Sequence, residues 1–310
     1  MAASAPGITG RKIWMDGRMV DWADARVHIL THTLHYGLGV FEGIRCYRTD
    51  DGRSAVFRLD EHVERLYQSA HINLMRIPFA QGALVEAILA CLRENELVEG
   101  YIRPLVYVGD GAMGLNPGDN PIRVAVIVWP WGKYLGEDGM QRGIRAKVSS
   151  FNRHFVNAKM TKGKTCGDYV NSILAKREAL LDGYDEAIML DTQGLVSEAS
   201  GENVFLVRHG GLRTPPLQTV LEGITRASVI ELARDKGIPV AEASITRDEL
   251  YVADEVFLTG TAAEVTPIRE IDHRQIGEGQ RGPVAKALQE AFFDVVGGRD
   301  TKYERWLTYV

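Results

Sequence analysis

The chain has 310 residues, of which 45% are hydrophobic and 25% charged, and its formal net charge is −5. This composition is typical of a soluble globular protein of about two domains. Because it contains no long Lys/Arg block, no apolar run of the roughly 18 residues that a membrane helix needs and no signal-peptide pattern, we expect no nucleic-acid partner and no membrane insertion.

Cysteine and histidine usage indicates a reduced compartment and no metal site. Cys46, Cys91 and Cys166 are widely spaced, and the eight histidines are scattered, without acidic or cysteine partners at ligand spacing. Disulfides are rare in the cytoplasm, and zinc sites need closely spaced ligands. We therefore predict a cytoplasmic protein without a bound metal.

The first third of the chain contains a segment interrupted by glycines. After a predicted hairpin over residues 12–20, the stretch 31–47 has three glycines between apolar and aromatic residues. Glycines in an apolar strand mark bulges or close backbone approach. Two interpretations are open: a strand with loose ends, which the pattern slightly favours, or the wall of a pocket. In the second, the lining residues are Tyr36, Phe41 and Arg45.

A helix is predicted after a second hairpin over residues 45–57. Its apolar positions, spaced i, i+4, i+7 and i+11, are Leu59, Val63, Leu66 and Ala70. Arg65 flanks this stripe. Its side chain either snorkels to solvent or reaches an anion in a cleft.

A strand over residues 101–108 follows a second helix over residues 83–97. Tyr101 and Arg103 share one face of this strand, because side chains alternate with a period of two. An arginine on an apolar face is costly unless it has a partner, so a carboxylate ligand is a reasonable expectation. After a further strand over 122–128, the stretch 129–136 combines proline and glycine with aromatic residues. We predict an N-terminal domain, an interdomain loop and a larger C-terminal domain over residues 1–130, 131–142 and 143–310.

The stretch 157–167 contains three lysines and no acid, and a helix begins at Asp168. Such a stretch is usually a solvated basic loop. It can also hold one amine that does chemistry. The pattern alone does not decide among Lys159, Lys162 and Lys164.

Further along, acids and possible anion sites alternate with apolar strands. Glu198 and Asn203 lie in a block whose buried acids need a cationic partner, for which Lys164 and a protonated ring nitrogen are both candidates. A helix start at Gly223, and a Gly-Thr-Ala turn that contains Thr261, offer N–H groups to an anion. One lysine, one acid and phosphate sites are the needs of an enzyme that uses pyridoxal phosphate (PLP).

From about Ile13 to Phe293 the chain resembles the branched-chain amino-acid aminotransferases of the class IV (fold type IV) PLP family. The resemblance implies an α+β protein of two α/β domains, of the D-amino-acid aminotransferase-like type, with its active site at the domain and dimer interface. The matching segments are 35–37, 41–45, 101–104, Ser197-Glu198 with 201–203, 223–226 and 260–264.

The resemblance implies a role for each cofactor-binding residue. Lys164 is the lysine that forms the Schiff base with PLP and then moves a proton, and the other two lysines of the stretch are loop residues. Glu198 binds the pyridine nitrogen, Asn203 supports the ring, and Tyr169 binds the phenolic oxygen. The phosphate ligands are Arg65, Ile224, Thr225 and Thr261.

The substrate pocket must accept leucine, isoleucine or valine and then the γ-carboxylate of glutamate or 2-oxoglutarate. By resemblance, Thr261, Ala262 and Tyr101 hold the α-carboxylate, and Arg103 receives the γ-carboxylate at the rim. The apolar box consists of Phe41, Tyr36, Tyr134 and Trp131. Tyr36 and the loop Met113-Gly114-Leu115 belong to the neighbouring subunit's site.

A homodimer is therefore the minimal active unit, and both dimer and hexamer are open. Three positions depart from the family pattern as the resemblance has it: Cys166, Asp168 and Glu222. The rival activities on the same fold are those of D-amino-acid or (R)-amine aminotransferases and aminodeoxychorismate lyase. A rival of another class is a non-catalytic protein that binds a phosphorylated metabolite.

Overall fold

The computed structural model describes residues 9–132 and 136–310, which fall into two compact units. Of these residues, the first unit contains 9–132, 163–167 and 296–310, and the second contains 136–162 and 168–295. The segment around Lys164 and the C-terminal tail, which the predicted division places in the C-terminal domain, thus belong to the first unit.

The first unit is built on an eight-stranded antiparallel sheet. Its strands are β1 (Lys12–Met15), β2 (Arg18–Asp21), β3 (Gly39–Phe41), β4 (Ile44–Arg48), β5 (Ser54–Phe57), β6 (Gly100–Val108), β7 (Ile122–Trp129) and β17 (Leu307–Tyr309). Its helices are α1 (His32–Tyr36), α2 (Leu59–Ile72) and α3 (Gln81–Glu94). The strand order is β17-β5-β4-β6-β7-β1-β2, and β3 pairs with β6.

Helices α2 and α3 bury their apolar faces in the core of this unit. The predicted stripe of α2, from Leu59 to Ala70, is at most 1% exposed. It packs in one cluster with Ile88 of α3 and with Ile102 and Val126 of the sheet. Each such side chain contributes roughly 1.5–3 kcal/mol when it is buried. The predicted helix is therefore confirmed.

Strand β6 pairs with both β3 and β4, which are separated opposite Pro104. Residues 39–41 pair with 105–107, and residues 44–46 pair with 100–102. Proline has no N–H to donate to a ladder, so the partner strand is interrupted between Phe41 and Ile44. The expectation of one strand over residues 31–47 is wrong, because a short helix and two short strands occupy it.

The second unit is built on a nine-stranded mixed sheet. Its strands are β8 (Ile144–Val148), β9 (Glu186–Leu190), β10 (Val196–Ala199), β11 (Asn203–Arg208), β12 (Gly211–Thr214), β13 (Val240–Glu242), β14 (Glu255–Gly260), β15 (Glu264–Ile271) and β16 (Arg274–Gln275). Strand β10 pairs with β11 as well as with β9, so the strands β10-β9-β8-β15-β14-β11 close into a ring. Its helices are α4 (Gly136–Arg142), α5 (Tyr169–Leu181), α6 (Ile224–Asp235), α7 (Arg247–Tyr251) and α8 (Pro283–Val296).

Helix α5 turns its apolar residues outward. Val170, Ile173 and Leu174 are 44–58% exposed, whereas the buried positions of the helix are the small residues Ser172, Ala175 and Ala179. The predicted helix start at Asp168 is confirmed, but the large apolar side chains of this helix do not fill the core of this unit. Within the described ranges, no helix has the length and apolar character to cross a membrane.

Candidate active site

The predicted site residues divide between the two units. The first unit holds Tyr36, Phe41, Arg45, Arg65, Tyr101, Arg103, Met113, Leu115, Trp131 and Lys164. The second unit holds Tyr169, Glu198, Asn203, Ile224, Thr225, Thr261 and Ala262. Tyr134 lies outside the described residues.

Lys164 lies in a segment that hydrogen bonds to β3 and α2. Its N–H donates to Ser69 Oγ at 3.0 Å, and its carbonyl oxygen accepts from the N–H of Phe41 at 3.1 Å. Asn73 Nδ2 donates to Oγ1 of the next residue, Thr165, at 3.0 Å. The backbone of the lysine is therefore fixed by a strand on one side and by a helix on the other.

Two glycines allow this segment to approach α1. The N–H of Gly167 donates to the carbonyl oxygen of Gly37 at 3.1 Å. A Cβ on Gly37 would lie 3.0 Å from Gly167 Cα, and Gly37 has a φ of +73°. Gly37, one of the three glycines that interrupt the pattern of residues 31–47, thus serves a close backbone contact.

The amine of Lys164 lies near the ring of Phe41. Lys164 Nζ is 5.1 Å from the ring centroid, and the guanidinium carbon of Arg103 is 4.6 Å from it. Aromatic rings attract cations at such distances. Arg103 Nε is buried and has no hydrogen-bond partner among the described residues. Because a buried donor without a partner is costly, Arg103 is suited to bind an anionic oxygen.

The other two lysines of the stretch lie in the second unit. Lys162 Nζ donates to two backbone carbonyl groups and lies 3.3 Å from a carboxylate oxygen of Glu222. Lys159 Nζ is 3.6 Å from a carboxylate oxygen of Asp168. Lys162 and Lys159 thus each have a carboxylate neighbour in the second unit.

Three aromatic rings form a cluster in the first unit. The centroid of Tyr101 is 5.2 Å from that of Trp129 and 5.0 Å from that of Trp131. Arg45 Nη2 donates to the carbonyl oxygen of Trp131 at 3.4 Å. A Cβ on Gly43 would lie 2.0 Å from the Tyr101 hydroxyl oxygen, so only glycine leaves room for that side chain. Arg45 therefore supports the aromatic cluster by its hydrogen bond to the backbone of Trp131.

Tyr36 and the loop 113–115 come together at the surface of the first unit. The ring of Tyr36 packs against that of His32 at an angle of 37°, with centroids 4.6 Å apart, and His32 Nε2 is 2.8 Å from the carbonyl oxygen of Gly114. Tyr36, Met113 and Leu115 are 44%, 42% and 92% exposed. These predicted substrate-binding residues thus form an exposed surface of this chain.

A polar face of α2 was missed in the sequence. His62, Arg65, Ser69 and Asn73 recur at spacings that place them on one side of the helix, beside the apolar stripe. Arg65 Nε lies 2.6 Å from a carboxylate oxygen of Glu42. The i, i+3, i+7 and i+11 spacing of these polar residues is the signal that could have identified this face.

In the second unit, Glu198 and Asn203 are opposite each other where β10 pairs with β11. Arg153 Nε is 2.7 Å from a carboxylate oxygen of Glu198, and the N–H of Leu221 donates to the other oxygen at 3.1 Å. Asn203 Nδ2 donates to the carbonyl oxygen of Leu221 at 3.1 Å. The cationic partner of Glu198 within this unit is thus Arg153, which the sequence did not indicate.

The start of α6 forms a compact turn beside Asn203. Ile224 and Thr225 follow Gly223, which has no side chain to cap the first turn. A Cβ on Gly223 would lie 1.9 Å from Asn203 Oδ1, so a larger residue would displace Asn203. The positive end of the helix dipole favours an anion here. These residues fit a phosphate group.

The remaining predicted residues occupy partly exposed positions. Thr261 and Ala262 lie in the turn between β14 and β15, and Tyr169 is the first residue of α5. Among the described residues, no group of three or more His, Cys, Asp or Glu could hold a metal ion.

Glu202 is a buried acid of the second unit that lies between the two residues of the ring-closing pair, Glu198 and Asn203. It is 5% exposed, and burial, with a smaller effect of the carboxylate of Glu186, raises its pKa to about 8. Glu186 itself is paired with Lys176 and accepts from the hydroxyl of Ser200 at 2.6 Å. Burial therefore favours the protonated form of the Glu202 carboxyl group.

Comparison with known proteins places these features in one family. A family model described as amino-transferase class IV matches residues 39–271. A protein from Pseudomonas aeruginosa named branched-chain-amino-acid aminotransferase is 51% identical over 298 residues, which cover 96% of this chain and 97% of that protein.

Solved structures give the same result. A branched-chain amino acid aminotransferase from T.th. with pyridoxamine 5′-phosphate has a TM-score of 0.95 and 50% identity, and the match covers 98% of this chain and 99% of that one. The same enzyme complexed with N-(5′-phosphopyridoxyl)-L-glutamate has a TM-score of 0.94 and 49% identity, with equal coverage. The predicted fold class is thereby confirmed.

Proposed function

The chain belongs to the class IV aminotransferases, and we propose that it is a PLP-dependent branched-chain L-amino-acid aminotransferase. It exchanges the amino group between leucine, isoleucine or valine and 2-oxoglutarate, in a reversible ping-pong reaction. The observation that carries this proposal is the 51% identity, over 96% of the chain, to a protein of that name. The adduct of the cofactor with L-glutamate in the structure of the T.th. enzyme supports glutamate as one of the substrates.

Bound PLP supplies an aldehyde that receives the amino group and a ring that takes up electrons from the Cα–H bond. The amine of Lys164 binds the cofactor and then moves the proton at Cα of the substrate. Its Nζ lies 5.1 Å from the centroid of the Phe41 ring. Two hydrogen bonds of its backbone orient the side chain.

Each proposed cofactor ligand has a role of its own. Glu198, with Arg153 beside it, binds the pyridine N–H, and Asn203 supports the ring. Tyr169 binds the phenolic oxygen. Support for the phosphate ligands comes from the uncapped start of α6 and from the guanidinium of Arg65. The phosphate ligands are Arg65, Ile224, Thr225 and Thr261.

Substrate specificity follows from a pocket with apolar walls and one cationic group, the guanidinium of Arg103. Phe41 and the ring cluster of Tyr101 and Trp131 accept a branched side chain, together with Tyr36 and Tyr134. Arg103, whose Nε has no protein partner within the described part of the chain, binds the γ-carboxylate of glutamate. The turn at Thr261 and Ala262 holds the α-carboxylate. Arg45 holds the aromatic cluster in place through Trp131.

We further propose that the enzyme is a cytoplasmic homodimer or an assembly of such dimers. The exposed side chains of Tyr36, Met113 and Leu115 support this, because a second subunit could receive them. So do the outward-facing apolar residues of α5. Sedimentation velocity of the full chain measures the assembly, and a monomer at micromolar concentration would reject this part of the proposal.

The central experiment mixes the PLP-loaded enzyme with single amino acids and follows the absorbance of the bound cofactor. L-leucine, L-isoleucine and L-valine are expected to convert the cofactor to its amino form, and 2-oxoglutarate to convert it back. No conversion with any of the three would reject the proposed activity. Conversion by D-amino acids or (R)-1-phenylethylamine alone would favour the rival aminotransferases.

A pair of lysine variants tests the assignment of the amine. Lys164→Ala is expected to lose turnover by at least about a thousandfold, and borohydride should no longer fix the cofactor to the protein. Lys159→Ala, which removes a 43% exposed side chain, should retain both properties. A Lys164→Ala variant with normal turnover would show that another residue does the chemistry.

A further inference from the structure

Glu42 is a buried acid at the break between β3 and β4. It is 0% exposed, and its N–H donates to the carbonyl oxygen of Pro104 at 3.0 Å. Because Pro104 cannot continue the ladder, the chain leaves the regular strand at this point. The break therefore allows the Glu42 side chain to reach α2, where its partners lie.

The carboxylate of Glu42 binds Arg65 in a bidentate manner. Arg65 Nε donates to Oε1 at 2.6 Å, and Nη2 donates to Oε2 at 2.8 Å. This fork fixes two N–H groups of the planar guanidinium, so the directions of its other N–H groups are fixed as well. A bidentate pair fixes the plane of the guanidinium as well as its position.

His62 holds the carboxylate in turn. His62 Nδ1 is 2.8 Å from Glu42 Oε2, and the imidazole is 1% exposed. Burial lowers the pKa of His62 and so favours the neutral ring, which can donate its Nδ1–H to the carboxylate. His62 and Arg65 are three residues apart on α2, so one helix face supplies both partners of Glu42.

A carboxylate at this point is unfavourable for an anion site on simple charge grounds. It cancels the charge of the arginine that the resemblance assigns to the phosphate, and it repels the phosphate. Its side chain is nevertheless fully buried, with both oxygen atoms hydrogen bonded. The gain that offsets the repulsion is the fixed direction of the remaining Arg65 N–H groups.

We propose that Glu42, held by His62, is a positioning residue that orients the guanidinium of Arg65 toward the phosphate of PLP. This rests on the proposed function, since it assigns Glu42 and His62 to the cofactor site of a PLP enzyme. Both residues act through Arg65 and do not touch the cofactor. A role confined to the stability of the fold is the alternative.

Equilibrium binding of PLP and of pyridoxal, which lacks the phosphate, distinguishes the two roles. Glu42→Gln in the full chain is expected to raise the Kd of PLP roughly ten- to a hundredfold, the effect of a lost hydrogen bond to a charged group. The Kd of pyridoxal should change by less than about twofold, and in an Arg65→Met background Glu42→Gln should have no further effect. An equal loss for both ligands would overturn the inference.

A pair of His62 variants gives a second test in case Glu42→Gln does not fold. His62→Asn can place an amide N–H near the position of Nδ1 and should keep the Kd of PLP within about threefold. His62→Leu removes the donor and should raise this Kd about tenfold. Equal Kd values for the two variants would overturn the inference. If the wild-type chain bound no PLP, the proposed function would fail, whereas tight binding by both wild type and Glu42→Gln would reject this inference alone.

Discussion

Ser69 and Lys164 are 95 residues apart in the chain and are joined by a hydrogen bond of 3.0 Å, from the lysine N–H to the serine Oγ. Ser69 is fully buried on α2, one turn after Arg65. One helix therefore positions both the backbone of the lysine proposed to react and a cation proposed for the phosphate. Helices are stiff, so the two groups are held at a defined separation.

Ser69→Ala is expected to reduce turnover more than its effect on stability would suggest. It leaves the Lys164 N–H without its acceptor, which costs about 1–3 kcal/mol of unfolding free energy. A small displacement of the amine should lower kcat for L-leucine roughly tenfold. Urea denaturation and steady-state rates measure the two effects. Thr214→Val, which removes a buried hydroxyl that donates to the carbonyl oxygen of Val204 at 2.8 Å, should lower stability only. Equal kcat for both variants would contradict this prediction.

Arg103→Met is expected to lower kcat/KM for 2-oxoglutarate much more than kcat/KM for L-leucine. The variant keeps the length and apolar character of the side chain and removes the guanidinium that lies over Phe41. A hydrogen bond to a charged group contributes about 1.5–3 kcal/mol, so kcat/KM for 2-oxoglutarate should fall roughly ten- to a hundredfold. That for L-leucine should fall by less than about threefold. Equal losses for both substrates would argue against Arg103 as the γ-carboxylate ligand.

Arg153→Met is expected to destabilise the protein strongly. Glu198 is 6% exposed, and its ion pair with Arg153 is 2.7 Å long. Removing one partner of a buried pair costs about 3–5 kcal/mol of unfolding free energy. Arg142→Met is the matched control, because its pair with Asp138 is 76% and 71% exposed, and such pairs contribute about 0–1 kcal/mol. Similar melting temperatures for the two variants would refute the prediction.

Glu202→Gln is expected to change the pH dependence of stability. The pKa of Glu202 is raised to about 8 from its ordinary value of 4.5, chiefly by burial. The folded protein thus retains a proton that the unfolded chain releases. The stabilisation from the protonated Glu202 is fully present below the pKa that this group has in the unfolded chain. It is lost as the pH rises through the pKa that the group has in the folded protein. Glutamine resembles the protonated acid, so the variant should gain in melting temperature over wild type between about pH 5 and pH 9. A constant difference across this range would contradict the raised pKa.

The sequence predicted the elements whose burial follows a simple period. The stripe of α2 from Leu59 to Ala70 is buried, and the hairpin of β1 and β2 forms as the pattern indicated. The order of the motifs also predicted the family, because few protein families have these segments in this order along the chain. Such signals are local, and each is carried by residues close together in the chain.

Other features depend on contacts that no local pattern carries. Arg153 and Glu198 are far apart in the chain, and their ion pair forms only when the second unit folds. The side chain of Glu42 reaches α2 because Pro104, on the neighbouring strand, interrupts the pairing there. The outward face of α5 was not predicted either, since periodicity states which residues share a face and not what that face meets. The roles of individual site residues stay predictions, and Tyr134 lies outside the described residues.

The last strand of the first unit is synthesised long after the strand with which it pairs. Strand β17 pairs with β5, and Arg299 of the same tail lies 2.7 Å from Asp50, which is 249 residues earlier. At translation rates of about 5–20 residues per second, this tail emerges from the ribosome on the order of 10–50 s after the strand that it covers. Until then the edge of β5 is open to pairing with other chains.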